Sequence, residues 1–206
     1  DYYSNGGIEK IINDLKNNLN YKIDILCFNN LTNKNIITLT KNNYRNFFLR
    51  NILSLNKYKK YLKNNKYDLI YLNCYNSFGY IYAKICFKYN KNIIIHGHNS
   101  NIDKDYLIIK RLINSLIKIL FNSNNYIYIA PTIEVANFCF SKNNKVNIIE
   151  NAIDYNKYYF NNTYYLKYKK LFNLDKEIII GNIGRMEYQK KSVICFRYFK
   201  WFIKIK

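Results

Sequence analysis

The sequence predicts an α/β fold in which a mostly parallel sheet carries helices on both of its faces. Short apolar runs rich in isoleucine recur along the chain, and segments with apolar residues at helical spacing separate them. Strands that are continuous apolar runs are typical of parallel sheets buried on both faces, and their alternation with helices is typical of βαβ units. In such sheets ligands bind beyond the carboxyl ends of the strands. The polar residues that directly follow each strand are therefore the candidates for a site.

The first half of the chain alternates in this way from its start. Apolar residues at helical spacing predict the first helix, and the isoleucine-rich runs that follow predict strands. In chain order the pattern predicts a helix over 8–19, strands over 23–28 and 36–39, a helix over 47–62, a strand over 68–73, a helix over 78–87 and a strand over 93–95.

The second half continues the alternation. Pro131 ends a strand, and Thr132 is placed to cap the next helix, with Glu134 in its first turn. In chain order the pattern predicts a helix over 106–120, a strand over 126–130, a helix over 132–140, strands over 146–149 and 178–180, and a helix over 192–205.

The chain is strongly basic, with 33 Lys and Arg against 13 Asp and Glu and a net charge of +20. The lysines are spread over the whole chain, and the densest group, within residues 57–66, covers one broad face of a predicted helix. We interpret this as a solvated face in a lysine-rich composition. A contact with an anionic membrane surface is the alternative. Nucleic acid is not a predicted partner, because the sequence contains no RNA-binding signature or zinc-finger spacing.

Cysteine usage and hydropathy indicate a cytoplasmic protein. The five cysteines lie in apolar runs and form no CxxC pair, which predicts buried free thiols in a reducing compartment. No uncharged apolar stretch reaches the ~18 residues expected of a membrane span. The cysteines are Cys27, Cys74, Cys86, Cys139 and Cys195.

Glycine is scarce, with six residues in the chain, so its positions are informative. Gly6 and Gly7 directly precede the first predicted helix, where a missing side chain lets a phosphate or sugar approach the backbone N–H groups. Glu9 follows in the first helical turn, and it is one of only five glutamates. The alternative interpretation of the two glycines is an ordinary turn.

The only two histidines, His96 and His98, follow a predicted buried strand and are separated by Gly97. If the strand continues through Gly97, alternation points both imidazoles to the same side. We predict that the pair contacts a ligand. The alternative is a structural role, which is the usual role of a single buried histidine. No metal site is predicted, because His-x-His supplies two ligands and no third is identifiable.

Arg185 and Lys190 follow the last predicted strand, five positions apart. A guanidinium and an ammonium at a strand end are suited to bind a diphosphate. The alternative is two surface cations in a basic protein. Arginine is much rarer than lysine in this chain, which favours a function for Arg185.

Taken in order, six segments resemble motifs of the family-4 glycosyltransferases, which have the GT-B fold of two Rossmann-like domains. The family motifs are the GG-hydrophobic-Glu loop, the YDIVH strand, the HSHN segment of the capsule and exopolysaccharide subgroup, the ACSKEAA helix start, the VxVIPNGID link and the VGRFxxQKN loop. The matching segments are residues 6–9, 68–71, 95–99, 130–136, 146–154 and 183–190.

The resemblance implies a domain division and an N-terminal fragment. It implies an acceptor-side Rossmann-like domain over 1–154 with its first strand largely missing, a linker over 155–176, and the start of a donor-binding domain over 177–206. The sequence departs from the family at Ala152, where glycine is usual, and at Lys191, where asparagine is usual. The family's Glu-x7-Glu motif is expected beyond residue 206, so we expect this fragment alone to be inactive.

The implied activity is transfer of a sugar from a nucleotide-sugar donor to a saccharide or lipid-linked saccharide acceptor in polysaccharide biosynthesis. The family usually retains the anomeric configuration and needs neither a metal nor a cofactor, because the nucleotide-sugar is a substrate. By resemblance His98 is the catalytic contact to the transferred sugar. The implied contacts on the donor are Gly6, Gly7, Arg185 and Lys190, and those on the sugar or acceptor side are Glu9, His96 and Asn99.

Two alternatives stay open at this point. One is an inactive, truncated remnant of such an enzyme. The other is a nucleotide-sugar epimerase-like protein of GT-B build, which the His-x-His position does not favour. The cytoplasm is the expected location, with peripheral contact at the inner face of the membrane.

Overall fold

The computed structural model describes residues 6–27, 36–39, 47–100 and 107–173. The chain divides into two compact units, Asp1–Ala152 and Ile153–Lys206. The predicted strand over 178–180 and the predicted helix over 192–205 lie outside the described residues. The donor-side segment over 177–206, with Arg185 and Lys190, therefore stays a prediction.

The predicted elements within the described residues are confirmed, with small shifts at their ends. β4 is longer than the predicted 93–95 and includes His96 and Gly97, because both residues pair with the neighbouring strand. The elements of the first unit are α1 Gly7–Asn18, β1 Ile25–Cys27, β2 Ile36–Thr38, α2 Phe47–Asn64, β3 Ile70–Cys74, α3 Gly79–Cys86, β4 Ile93–Gly97, α4 Leu107–Leu120, β5 Ile127–Ala130, α5 Ile133–Cys139 and β6 Val146–Ile148.

The fold is α/β, and every strand pair among the described residues is parallel. The strands form two sheets, which corrects the expectation of one. β1 pairs with β2, and a four-stranded sheet has the order β3-β4-β5-β6. A cavity of about 340 Å³ lies between the sheets, lined by residues of both β1 and β3. The two strands have no hydrogen-bonded partner on the cavity side among the described residues.

Two helices pack closely against one face of the four-stranded sheet, and a glycine permits each contact. A Cβ added at Gly79 at the start of α3 would lie 2.8 Å from Cβ of Cys74 on β3. A Cβ added at Gly97 on β4 would lie 3.0 Å from Sγ of Cys139 on α5. Neither glycine has a positive φ. Close packing of these helices on the sheet thus accounts for both glycines. The predicted helices on the opposite face of the sheet remain a prediction.

The core of the first unit is aromatic as well as aliphatic. Tyr128 of β5 and Phe140, which follows α5, lie with ring centroids 5.0 Å apart, and Tyr80 of α3 packs against both. The prediction of buried free thiols is confirmed for four cysteines, and the fifth lies outside the described residues. The four are Cys27, Cys74, Cys86 and Cys139.

The second unit contains helical elements within the predicted linker. Its described part contains a 3-10 helix, Tyr155–Lys157, and a helix α6, Asn162–Leu171, where the sequence pattern predicted no element. The side chain of Asn161 caps α6, with Oδ1 accepting a hydrogen bond from N of Tyr164 at 3.1 Å. No residue of α6 is buried. Its sequence therefore lacks the apolar periodicity from which a helix is predicted.

Asn114 connects three parts of the first unit. It is buried on α4, and its Oδ1 accepts a hydrogen bond from N of Ser77, in the loop between β3 and α3, at 2.9 Å. Its Nδ2 donates to the carbonyl oxygen of Phe138 on α5 at 3.1 Å. One side chain thus satisfies a buried donor and a backbone acceptor on two different elements.

We expect Asn114→Leu to lower the free energy of unfolding by about 2–4 kcal/mol, because it leaves the Ser77 N–H and the Phe138 carbonyl without this partner. Urea unfolding followed by circular dichroism measures the change. Ser115→Ala is the matched control, since Ser115 is the exposed neighbour on the same helix. Equal stability of the two variants would contradict the role given to Asn114.

Candidate functional site

The candidate site lies where the carboxyl ends of β3 and β4 meet. The two strands pair in parallel, which sets Asn73 beside His96 and Cys74 beside Gly97. The N–H of His98 donates to the carbonyl oxygen of Cys74 at 3.0 Å, so the pairing holds the chain one residue past the end of β4. This is the edge at which parallel sheets bind ligands.

The structure brings the two histidines together. The ring centroids of His96 and His98 are 4.1 Å apart, with an angle of 40° between the planes. The prediction that both imidazoles point to one side is confirmed. Gly97, between them, faces Val135 and Cys139 of α5. Its lack of a side chain therefore admits a helix on the opposite side of the strand.

His96 is a buried, neutral imidazole. Burial lowers its pKa below the ordinary value. Nδ1 of His96 lies 2.5 Å from the hydroxyl of Tyr71 on β3, and burial raises the pKa of that hydroxyl to about 12. The tyrosine stays protonated and can donate to Nδ1. In that tautomer the imidazole proton is on Nε2, which makes His96 a donor towards the site.

His98 is also neutral at physiological pH. Burial, and next the charge of His96, lower the pKa of His98 to about 3. Nε2 of His98 lies 2.8 Å from Oδ1 of Asn73, which accepts the imidazole N–H. Nδ1 of His98 then carries a lone pair. The two adjacent rings thus leave one N–H donor, on His96, and one nitrogen acceptor, on His98.

Two buried side-chain N or O atoms in the described part of the chain have no hydrogen-bond partner there. They are Nε2 of His96 and Oγ of Ser77. Each belongs to the segment at the carboxyl end of one of two adjacent strands, β4 for His96 and β3 for Ser77. Unpartnered buried polar groups are costly, and they are typical of positions completed by a ligand or water.

Glu9 lies at the start of α1, which begins at Gly7 with Gly6 as its N-cap. Glu9 is buried, and its carboxylate occupies the space beside Gly6, because a Cβ added there would lie 1.9 Å from Oε2. Glutamate three positions after the N-cap is the capping-box position, from which the carboxylate reaches back to the helix start. This position suits a residue that supports the loop. A Cβ added at Gly7 would meet nothing within 4 Å.

The cavity between the two sheets joins these features. Glu9 of α1 and Asn73 of β3 line the same cavity, and Tyr71 lines it as well. Tyr71 and Asn73 are also the hydrogen-bond partners of the two histidines. The α1 start and the histidine pair are therefore connected through the side chains of one strand.

Tyr71 and Asn73 are the site residues that sequence reasoning missed. They lie two positions apart on β3, so their side chains point to the same face. Pairing with β4 sets Tyr71 beside Ile94 and Asn73 beside His96. The sequence shows that Tyr71 and Asn73 are two positions apart and so share a face of the strand. It does not show which strand lies beside β3 or in what register the two strands pair.

The remaining predicted site residues are Asn99, Arg185 and Lys190. Asn99 follows the histidines and is partly buried, and its carbonyl oxygen accepts from Sγ of Cys139 at 3.4 Å. Its backbone is therefore held against α5. Arg185 and Lys190 lie outside the described residues. No group of three or more metal-ligating side chains occurs in the described ranges.

Comparison with known proteins identified no relative. No family model, no curated protein and no solved structure matches the chain. The class that the fold defines is an α/β protein with parallel strands, whose polar cluster lies at the carboxyl ends of two of them. The motifs and the geometry of this cluster carry the functional inference.

We expect Gly6→Ala to lower the free energy of unfolding by about 1 kcal/mol, because its Cβ displaces the Glu9 carboxylate from the helix start. Gly7→Ala is the matched control, and we expect it to stabilise by about 0.5–1 kcal/mol through helix propensity. Urea unfolding measures both. In a Glu9→Ala background the cost of Gly6→Ala should disappear. A cost that persists there would contradict the contact.

The pKa of His98 predicts a pH dependence of stability. It is about 3 in the folded chain, below the unfolded value of about 6.5. Between these values the unfolded chain binds a proton that the folded chain excludes. The stabilisation is therefore complete above pH ~6.5 and is lost as the pH falls towards ~3.

We expect His98→Gln to reduce the loss of stability between about pH 7 and 5.5, a window above ordinary carboxylate titration. The free energy of unfolding is measured by urea titration at both pH values. Wild type and variant both retain His96, so the difference reports the titration of His98 together with its coupling to His96. Parallel pH dependences in the two proteins would show that His98 titrates normally in the folded chain.

Proposed function

We propose that this chain is the acceptor-side part of a family-4-like glycosyltransferase of GT-B fold. It moves a sugar from a nucleotide-sugar donor to a saccharide or lipid-linked saccharide in polysaccharide biosynthesis, with retention of configuration and without a metal. The observation that most supports this is the neutral pair of His96 and His98 at the carboxyl ends of two parallel strands. The motif order in the sequence gives independent support.

His98 is proposed as the contact to the transferred sugar. A sugar presents hydroxyl groups, each of which donates and accepts a hydrogen bond. Nδ1 of His98 is left as an acceptor once Nε2 donates to Asn73, and Nε2 of His96 has no partner among the described residues. Neutral imidazoles fit this task, because they bind a hydroxyl without attracting a competing anion.

The donor diphosphate is proposed to bind Arg185 and Lys190, assisted by the start of α1. Charge-assisted hydrogen bonds from these cations stabilise the departing diphosphate in place of a metal. Gly6 and Gly7 border the phosphate in this proposal. The open space beside Gly7 supports it, since a ligand can approach the backbone there.

Glu9, His96 and Asn99 are proposed for the sugar or acceptor side. Glu9 and Asn73 line the same cavity. In this proposal Glu9 holds the start of α1 in place beside that cavity. The proposed location is the cytoplasm, at the inner face of the membrane where lipid-linked acceptors lie. In the described part of the chain, no helix is long and apolar enough to cross a membrane.

The test is binding of nucleotide-sugars, which does not require turnover. Saturation-transfer NMR with a panel of uridine, guanosine and cytidine diphosphate sugars is expected to detect one class of ligand. We expect Arg185→Ala and Lys190→Ala each to weaken that binding by about 10- to 100-fold, because a charge-assisted hydrogen bond contributes about 1.5–3 kcal/mol. Where transfer is measurable, both variants should abolish it.

Lys191→Ala is the matched control, since it removes the adjacent cation without touching the proposed diphosphate contacts. We expect it to bind as the wild type does, and circular dichroism should be unchanged in all three variants. Wild-type affinity of Arg185→Ala and Lys190→Ala would refute the diphosphate assignment. Absence of binding to every member of the panel would count against the proposed function of this chain.

A further inference from the structure

The helix α4 exposes its apolar side chains. Seven leucine and isoleucine residues of this 14-residue helix are between 42% and 76% exposed. Contiguous exposed apolar surface of this kind is uncommon on soluble proteins and marks a contact surface. We call these seven the α4 apolar face: Ile108, Ile109, Leu112, Ile113, Leu116, Ile119 and Leu120.

The helix α4 exposes its apolar face and buries a polar residue, which is the reverse of the orientation of an ordinary amphipathic helix. At about 100° per residue, the α4 apolar face spans an arc of roughly 140°. The buried residues of the helix, Asn114 and Ile117, are centred roughly 140° away from the middle of that arc. An apolar stripe normally faces the core. Here the polar Asn114 faces inward, and its two hydrogen bonds hold the helix in that orientation.

The charged residues of α4 are all cations. Lys110 and Arg111 are exposed; Arg111 lies roughly 60° beyond one edge of the arc, and Lys110 lies in the sector of the buried Asn114 and Ile117. Lys118 is half-buried and donates to the carbonyl oxygen of Asn137 at 2.7 Å. The helix contains no Asp or Glu. An apolar face with Arg111 at one margin, on a helix without acidic residues, complements an anionic lipid surface, where the arginine side chain reaches the headgroups.

The length of α4 favours a helix that lies on a bilayer. Its 14 residues span about 21 Å, against about 30 Å for the hydrocarbon core of a bilayer. Helices that lie in the interface combine a strong apolar face with a basic polar face. The net charge of +20 adds long-range attraction to anionic lipid.

We propose that the α4 apolar face docks onto the surface of an anionic lipid bilayer, with Arg111 at its margin among the headgroups. The proposed function already includes a contact with the membrane, and this inference names the surface that makes it; it stands independently of sugar transfer because it rests on α4 alone. The proposal specifies the surface by which the chain meets a membrane. Its test measures lipid binding and is separate from the nucleotide-sugar test.

The experiment is co-sedimentation of the full chain with vesicles of phosphatidylcholine and phosphatidylglycerol in a molar ratio of about 2:1, against phosphatidylcholine alone. We expect binding to the anionic vesicles, and weaker binding to the neutral ones. The double variant Leu112→Gln with Ile119→Gln should bind the anionic vesicles about 100-fold more weakly. Arg111→Gln should reduce the preference for anionic lipid.

The matched control is the double variant Ile133→Gln with Ile153→Gln, which changes two isoleucines of similar exposure outside α4. It should bind vesicles as the wild type does. Circular dichroism and urea unfolding check that each variant folds, and Ile108→Gln alone replaces the double variant if that variant unfolds. The single substitution should also weaken binding.

Three results would overturn the proposal. One is wild-type vesicle binding by a folded α4 variant. Another is a wild-type chain that binds neither vesicle, or binds both equally. The last is a dimer, seen by sedimentation velocity without lipid binding, that the same substitutions dissociate, because the α4 apolar face would then bind a second copy of the chain.

Discussion

The parallel pairing of β3 with β4 is the constraint on which the candidate site depends. The register of this pairing sets Asn73 beside His96. The backbone hydrogen bond from the N–H of His98 to the carbonyl oxygen of Cys74 continues the pairing one residue past the end of β4. Because both strands end at the same edge, their polar side chains meet there. Close packing of α3 and α5 against the sheet, permitted by Gly79 and Gly97, holds this edge in place.

Burial gives the site its chemistry. It lowers the pKa of both histidines, so they are neutral hydrogen-bonding groups at physiological pH. Tyr71 and Asn73 occupy one nitrogen of each ring and so determine which nitrogen of each ring is left for a further contact. Two neutral rings of opposite hydrogen-bonding character carry no positive charge that would attract an anion. The cationic groups proposed for the diphosphate belong to the other end of the chain.

Asn114 links the loop that follows β3 to the exposed helix α4. Its two hydrogen bonds join the loop after β3 to α5 and turn α4 so that its apolar face points outward. A polar residue inside and leucines outside contradict the usual pattern of a helix in water. Such local contradictions are expected where a function is served. The sequence pattern predicted an amphipathic helix over 106–120, whose apolar stripe would normally face the core, and the structure turns that stripe outward.

The sequence by itself determined the α/β class and the place of most helices and strands, because apolar periodicity is a local property. It also placed His96 and His98 at a strand end. Only the tertiary structure decided that Tyr71 and Asn73 hold these rings and that α4 presents its apolar face to the surface. These facts depend on which strands pair and how helices pack, and such contacts join residues far apart in the chain. The helix α6 escaped prediction for a related reason: an exposed helix needs no apolar stripe, so its sequence carries no period to detect.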